Sequence, residues 1–60
     1  MNYILKISNK AFIKVDNDEL IILQDPDKAT KFEKIGYAMR TAGQINNDLN
    51  VNIVKVVSYE

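Results

Sequence analysis

The chain has 60 residues, eight Lys and Arg balanced by eight Asp and Glu, and no His, Cys or Trp. Zero formal charge argues against affinity built on neutralising phosphates, and without imidazole or thiol the usual parts of nucleophilic, disulfide and transition-metal chemistry are missing. A domain this short hides only about 60% of its unfolded surface and at the usual per-residue figure is stable by roughly 3–9 kcal/mol, so self-association is the expected support where no disulfide can act as a staple.

Taken in chain order, Tyr3-Ile4-Leu5-Lys6-Ile7 reads as a first strand, Ser8-Asn9-Lys10 as a turn and Ala11-Phe12-Ile13-Lys14-Val15 as a second strand. The polar cluster Asp16-Asn17-Asp18-Glu19 precedes a third strand, Leu20-Ile21-Ile22-Leu23, which Asp25-Pro26-Asp27 closes because Pro has no donor for a ladder. Loop length then sets register. A three-residue loop at Ser8-Asn9-Lys10 and a four-residue loop from Asp16 to Glu19 put Tyr3, Leu5, Ile7, Ala11, Ile13, Val15, Leu20 and Ile22 on one apolar face. The other face carries Ile4, Lys6, Phe12, Lys14, Ile21 and Leu23, a mixture unlike the polar side expected to meet water. A two-residue turn at Asn9-Lys10 would flip the first strand.

From about Glu33 to Leu49 the apolar period changes from about 2 to about 3.6 residues. Ile35, Ala38, Met39, Ala42, Ile45 and Leu49 form one stripe of a helix, with Asn46 close to it and Asn50 as its expected stop. Asp27 to Lys31 reads as a preliminary turn, and Val51 to Tyr59 as a fourth strand. The order is βββαβ. Three antiparallel strands need a cover for their apolar face, so the helix lies across them and the last strand rejoins the sheet. The expected fold is a two-layer α+β domain over residues 1–60, an antiparallel meander with one helix packed across it.

Few residues point to chemistry. Asp16, Asn17, Asp18 and Glu19 lack the Gly and distal Glu of a calcium loop, and turn formation accounts for them. Ser8 and Ser58 have no G-x-S-x-G context, and Gly36 and Gly43 form no phosphate loop, so no enzyme, metal or cofactor is expected. Lys6, Phe12 and Lys14 with Tyr3, Lys55 and Tyr59 could make a basic, aromatic surface on which single-stranded nucleic acid stacks, although lysines also guard ordinary sheet edges. Gly36 and Gly43 ask for a reason, since each costs about 1 kcal/mol against Ala in a helix interior. Either a neighbouring backbone approaches them, or, for Gly36, the helix start makes the cost small.

The apolar runs Leu20 to Leu23 and Ile53-Val54 fall far short of the ~18–20 residues that span a bilayer, and the opening residues lack the order of a secretory signal. A cytoplasmic protein with no membrane role is expected. Seven Asn, seven Lys and eight Ile suggest an AT-rich genome.

Tyr3-Ile4-Leu5-Lys6, Phe12-Ile13-Lys14-Val15, Ala29-Thr30-Lys31-Phe32 and Ile53-Val54-Lys55-Val56-Val57 together resemble small accessory proteins carried by phages of low-GC Gram-positive bacteria. That resemblance implies a non-enzymatic early-gene product that disables a host enzyme or immune effector, such as a homodimeric anti-defence protein acting on the Hachiman system. It carries no site residues. The residues themselves suggest a homodimer whose interface uses Ile4, Phe12, Ile21, Leu23 and Ile53, apolar side chains in excess of what one helix can cover. The expected partners are a second copy and a larger host protein, with nucleic acid as the alternative.

Overall fold

The turn between the second and third strands is left-handed and closes in two residues. In the computed structural model, which describes residues 1–59, Asp16 pairs with Glu19 and leaves Asn17-Asp18 as a two-residue turn with φ of 50° and 67°. Both angles are left-handed, as the hairpin turn matched to strand twist requires, and Asn and Asp tolerate them. The expected four-residue loop is therefore too long by two. Because the error is even, the apolar face is unchanged.

The first hairpin corrects the expectation differently. Ser8 pairs with Ala11, so the turn is the two-residue Asn9-Lys10. The register then shifts between Lys6 and Ser8, which brings Lys6 opposite Phe12. Asn9 and Lys10 keep negative φ, a turn whose twist does not match its strands, and the bulge absorbs the mismatch. Turn and bulge cancel, so Tyr3 and Leu5 stay on the face of Ile13 and Val15.

The strands β1 (Asn2–Ser8), β2 (Ala11–Asp16), β3 (Glu19–Leu23) and β4 (Lys55–Tyr59) form one antiparallel sheet in the order β3-β2-β1-β4, and the helix α1 (Ile35–Leu49) packs on it. This is the α+β two-layer βββαβ fold that the sequence predicts. Ala38, Ala42 and Ile45 of α1 are buried with Leu5, Ile13 and Val54, and Tyr3, Ile7, Val15, Phe32 and Val56 pack around them. Two alanines at the contact let the helix lie close over β1 and β4.

The predicted stripe is wider than the contact that forms. Ile35, Met39 and Leu49 stay exposed, as do Leu20 and Ile22 on the same side of β3. The helix packs chiefly on β1 and β4 and leaves the side chains of the outer strand largely uncovered. Its start also lies two residues later than expected, at Ile35, since Phe32 is held in a bridge to Tyr3 and Lys34 is still extended. Its end falls where expected. Asn50 is left-handed (φ 55°), its N–H donates to the Asn47 carbonyl, and the Val51 N–H donates to the Asn46 carbonyl, a Schellman stop.

Two segments hold the sheet together from outside its ladders. β4 begins at Lys55 and not at Val51, since the ladder with β1 ends at Lys6 opposite Lys55, next to the bulge. Ahead of it the Asn46 amide substitutes for a strand. Its Oδ1 accepts from the Ile53 and Val54 N–H groups (3.2 and 3.0 Å), and its Nδ2 donates to the Val54 carbonyl (3.2 Å).

The second segment runs from the 3₁₀ turn Pro26–Lys28 to Phe32. It passes from the outer edge at β3 to the gap between β2 and β1. There Phe32 exchanges two backbone bonds with Tyr3 (2.8 Å each), the Thr30 N–H donates to Ile13, and the Thr30 hydroxyl accepts from the Val15 N–H (2.8 Å). Ala29 of this strap and Ile4 of β1 are both buried, and neither belongs to the helix-side core. Lys31 ties the strap down, donating to the carbonyls of Pro26, Asp27 and Ala29 with its ammonium 5.0 Å from the Tyr59 ring centre.

Candidate interaction surface

The five residues expected at an interface do not share one surface. Ile4 is 1% exposed and offers nothing to a partner. Phe12 and Leu23 are half-buried and opposite one another on the back of the sheet, where Ile21 is also found and is exposed. Ile53 is exposed on the other side, near the end of α1.

What does come together is a different set. The uncovered side of β3 and the end of α1 enclose a depression of about 200 Å³ whose lining is entirely apolar. Leu20 and Ile22 form one wall, Leu49, Val51 and Ile53 the other, and Ile13 and Ile45 lie at its floor. Each of the five wall residues is exposed. The helix pattern marks Leu49 as core and the strand alternation marks Leu20 and Ile22 so, whereas Ile53 is the one rim residue expected at an interface, and neither signal reports that these side chains stay exposed.

A second trough lies on the opposite flank of α1, about 480 Å³, between Ile35, Met39 and Gly43 of the helix and Val56 of β4. A Cβ built on Gly36 or Gly43 meets nothing within 4 Å. Among the described residues no backbone approaches either glycine, which removes that explanation for them within the single subunit.

The basic, aromatic set is split. Tyr3 packs into the helix-side core, while Lys55, Lys6 and Phe12 are successive cross-strand neighbours in one row on the back of the sheet. Lys31 and Tyr59 engage each other. Among the described residues no group of three or more His, Cys, Asp or Glu side chains could hold a metal ion, and no helix is long and apolar enough to cross a membrane. Asp16 to Glu19 serve the hairpin turn. No family model, curated protein or solved structure matches the chain.

Proposed function

We propose that this chain is a non-catalytic protein-interaction domain, a homodimer that binds and inhibits a larger host protein, in the manner of the phage anti-defence proteins its sequence resembles. The observation that carries this reading is the exposed apolar rim of Leu20, Ile22, Leu49, Val51 and Ile53 around a depression with no polar lining. Small monomers rarely leave a contiguous patch of this kind open to water, and a protein surface is its natural cover. The binding would take place in the host cytoplasm and would need no cofactor.

Light scattering over a hundredfold concentration range tests self-association, with a dimer expected and a monomer throughout as the contrary result. Inhibition is tested by expressing the chain in a bacterium defended by a Hachiman system and challenging it with phage. Restored plaque formation supports that target, and undiminished protection removes it.

The row of Lys55, Lys6 and Phe12 favours one other reading, a module for single-stranded nucleic acid. Binding that rests on phosphates weakens steeply as salt rises, whereas an apolar contact does not. Titration with a fluorescent oligonucleotide at low and moderate salt is expected to show no binding at either.

A further inference from the structure

A sheet ordered β3-β2-β1-β4 has two edges, and they are unlike. β4 has Lys55 at its start and Ser58 and Tyr59 at its end, with α1 packed above it. β3 reads Glu19-Leu20-Ile21-Ile22-Leu23, with no Pro, no Lys and no break in its ladder with β2. Apart from the charge of Glu19 at its first position, none of the devices that protect an edge from pairing is present within it.

The hydrogen bonds of β2 show which backbone groups of β3 face outward. The Ile13 carbonyl accepts from Thr30, and the Val15 N–H and carbonyl both meet the Thr30 hydroxyl, so Ile13 and Val15 turn their polar groups away from β3. Antiparallel pairs alternate between bonded and non-bonded. Ile22 and Leu20, the partners of Ile13 and Val15, therefore point their N–H and C=O groups at the open edge.

We propose that β3 pairs antiparallel with β3 of a second copy, with Ile21 facing Ile21 of the partner subunit on the two-fold axis. This rests on the self-association proposed above and assigns its seam. In that register Leu20 bonds with Ile22 of the partner subunit and Ile22 with Leu20 of the partner subunit. All the outward groups of both residues are then satisfied by four backbone bonds. Moving the register by two residues either way sets an apolar residue against Asp18 or Gln24 and leaves some of those groups without a strand partner. The two Glu19 side chains sit at opposite corners and do not meet.

The two four-stranded sheets become one of eight strands with both helices on the same side. Leu20 and Ile22 of each copy then cluster between the two helix ends, which brings the two apolar depressions side by side. A standard interface takes about 800 Å² from each partner, close to a fifth of the 4452 Å² surface of this chain. A bare strand edge does not supply that much, and the rim beside it at Leu49, Val51 and Ile53 supplies the remainder.

The chain has no cysteine among its 60 residues, so a single introduced thiol reports the seam directly. Facing residues of a non-bonded antiparallel pair have Cα atoms about 4.5 Å apart, within the ~4.4–6.8 Å that a disulfide accepts. Oxidation of Ile21→Cys should yield a covalent dimer in most of the protein, while Met39→Cys, on the far flank of α1, should not. Ile22→Lys alters a side chain already 64% exposed, so it should keep the native circular dichroism while raising the dissociation midpoint in light scattering at least tenfold. A dimer by scattering without an Ile21→Cys cross-link, or an unmoved midpoint in Ile22→Lys, overturns the seam and leaves self-association standing. A monomer at every concentration overturns both.

Discussion

β1 and β3 are both apolar strands of one sheet, and they meet opposite fates. In β1, Ile4 and Leu5 are 1% and 0% exposed, one on each face of the sheet. β3 has four apolar residues in succession, yet its Leu20, Ile21 and Ile22 are all exposed. Hydropathy does not separate the two strands. Position does, because β1 is an inner strand with α1 packed on it, and the strap from Pro26 to Phe32 bonds along its side toward β2. β3, at the edge, keeps its side chains largely uncovered. An apolar strand without a cover in its own subunit is stabilised most readily by a cover from another.

Truncations in the two strands should make the largest difference. Leu5→Ala or Ile13→Ala removes buried methyl groups and leaves a cavity, which costs ~2–5 kcal/mol, comparable with the stability expected of the whole domain. Ile22→Ala in dilute, dissociated protein should cost about 0.5 kcal/mol, as exposed positions do. Denaturant melts of the three variants at low concentration make the comparison. Equal losses would mean that β3 is covered within its own subunit.

The two supports outside the ladders should rank next. Asn46→Ala removes the acceptor of the Ile53 and Val54 N–H groups and the donor to the Val54 carbonyl, which should cost about 1–3 kcal/mol and fray the approach to β4. Thr30→Val removes the hydroxyl that receives the Val15 N–H, and one partly buried bond of this kind is worth about 1 kcal/mol. Melts measure both costs. Amide exchange should locate the first at residues 53–55 and the second at Val15, and a silent Asn46→Ala would show that the loop needs no side-chain clamp.

The smallest effect has the opposite sign. A Cβ at Gly43 enters open space, so Gly43→Ala should raise stability by about 0.5–1 kcal/mol through helix propensity alone. A loss of stability, or a weaker dimer, would place a partner against that flank of α1.

The division between β1 and β3 also marks what could be read from the residues. The period from Ile35 to Leu49 specifies the helix, and alternation in Tyr3 to Ile7 and Ala11 to Val15 specifies which side chains look toward it, because both signals are local. The turn lengths were less legible. Asn9-Lys10 and its compensating bulge produce the same facing residues as a three-residue loop, so the alternation cannot tell them apart. The strap escaped because Thr30 and Phe32 pair with residues 15 and 29 positions away, and nothing in a polar stretch announces distant partners. Asn46 reads as a flaw in an apolar stripe until its amide is seen bonded to Ile53 and Val54. Of the expected interface, Ile21 and Ile53 are exposed, while Ile4 is buried. Where the helix ends relative to the outer strand is a tertiary fact, and the exposed rim follows from it.

The claim that β3 is covered by a second copy is tested most directly by amide exchange at single-residue resolution across a range of protein concentration. The Leu20 and Ile22 N–H groups face an open edge in the single chain and meet a partner strand in the dimer. Their protection should rise with concentration while that of Leu5, in the centre of the sheet, rises in parallel only to the extent that the whole fold is stabilised. Leu20 and Ile22 amides that exchange freely at every concentration, beside a protected Leu5, would contradict the account.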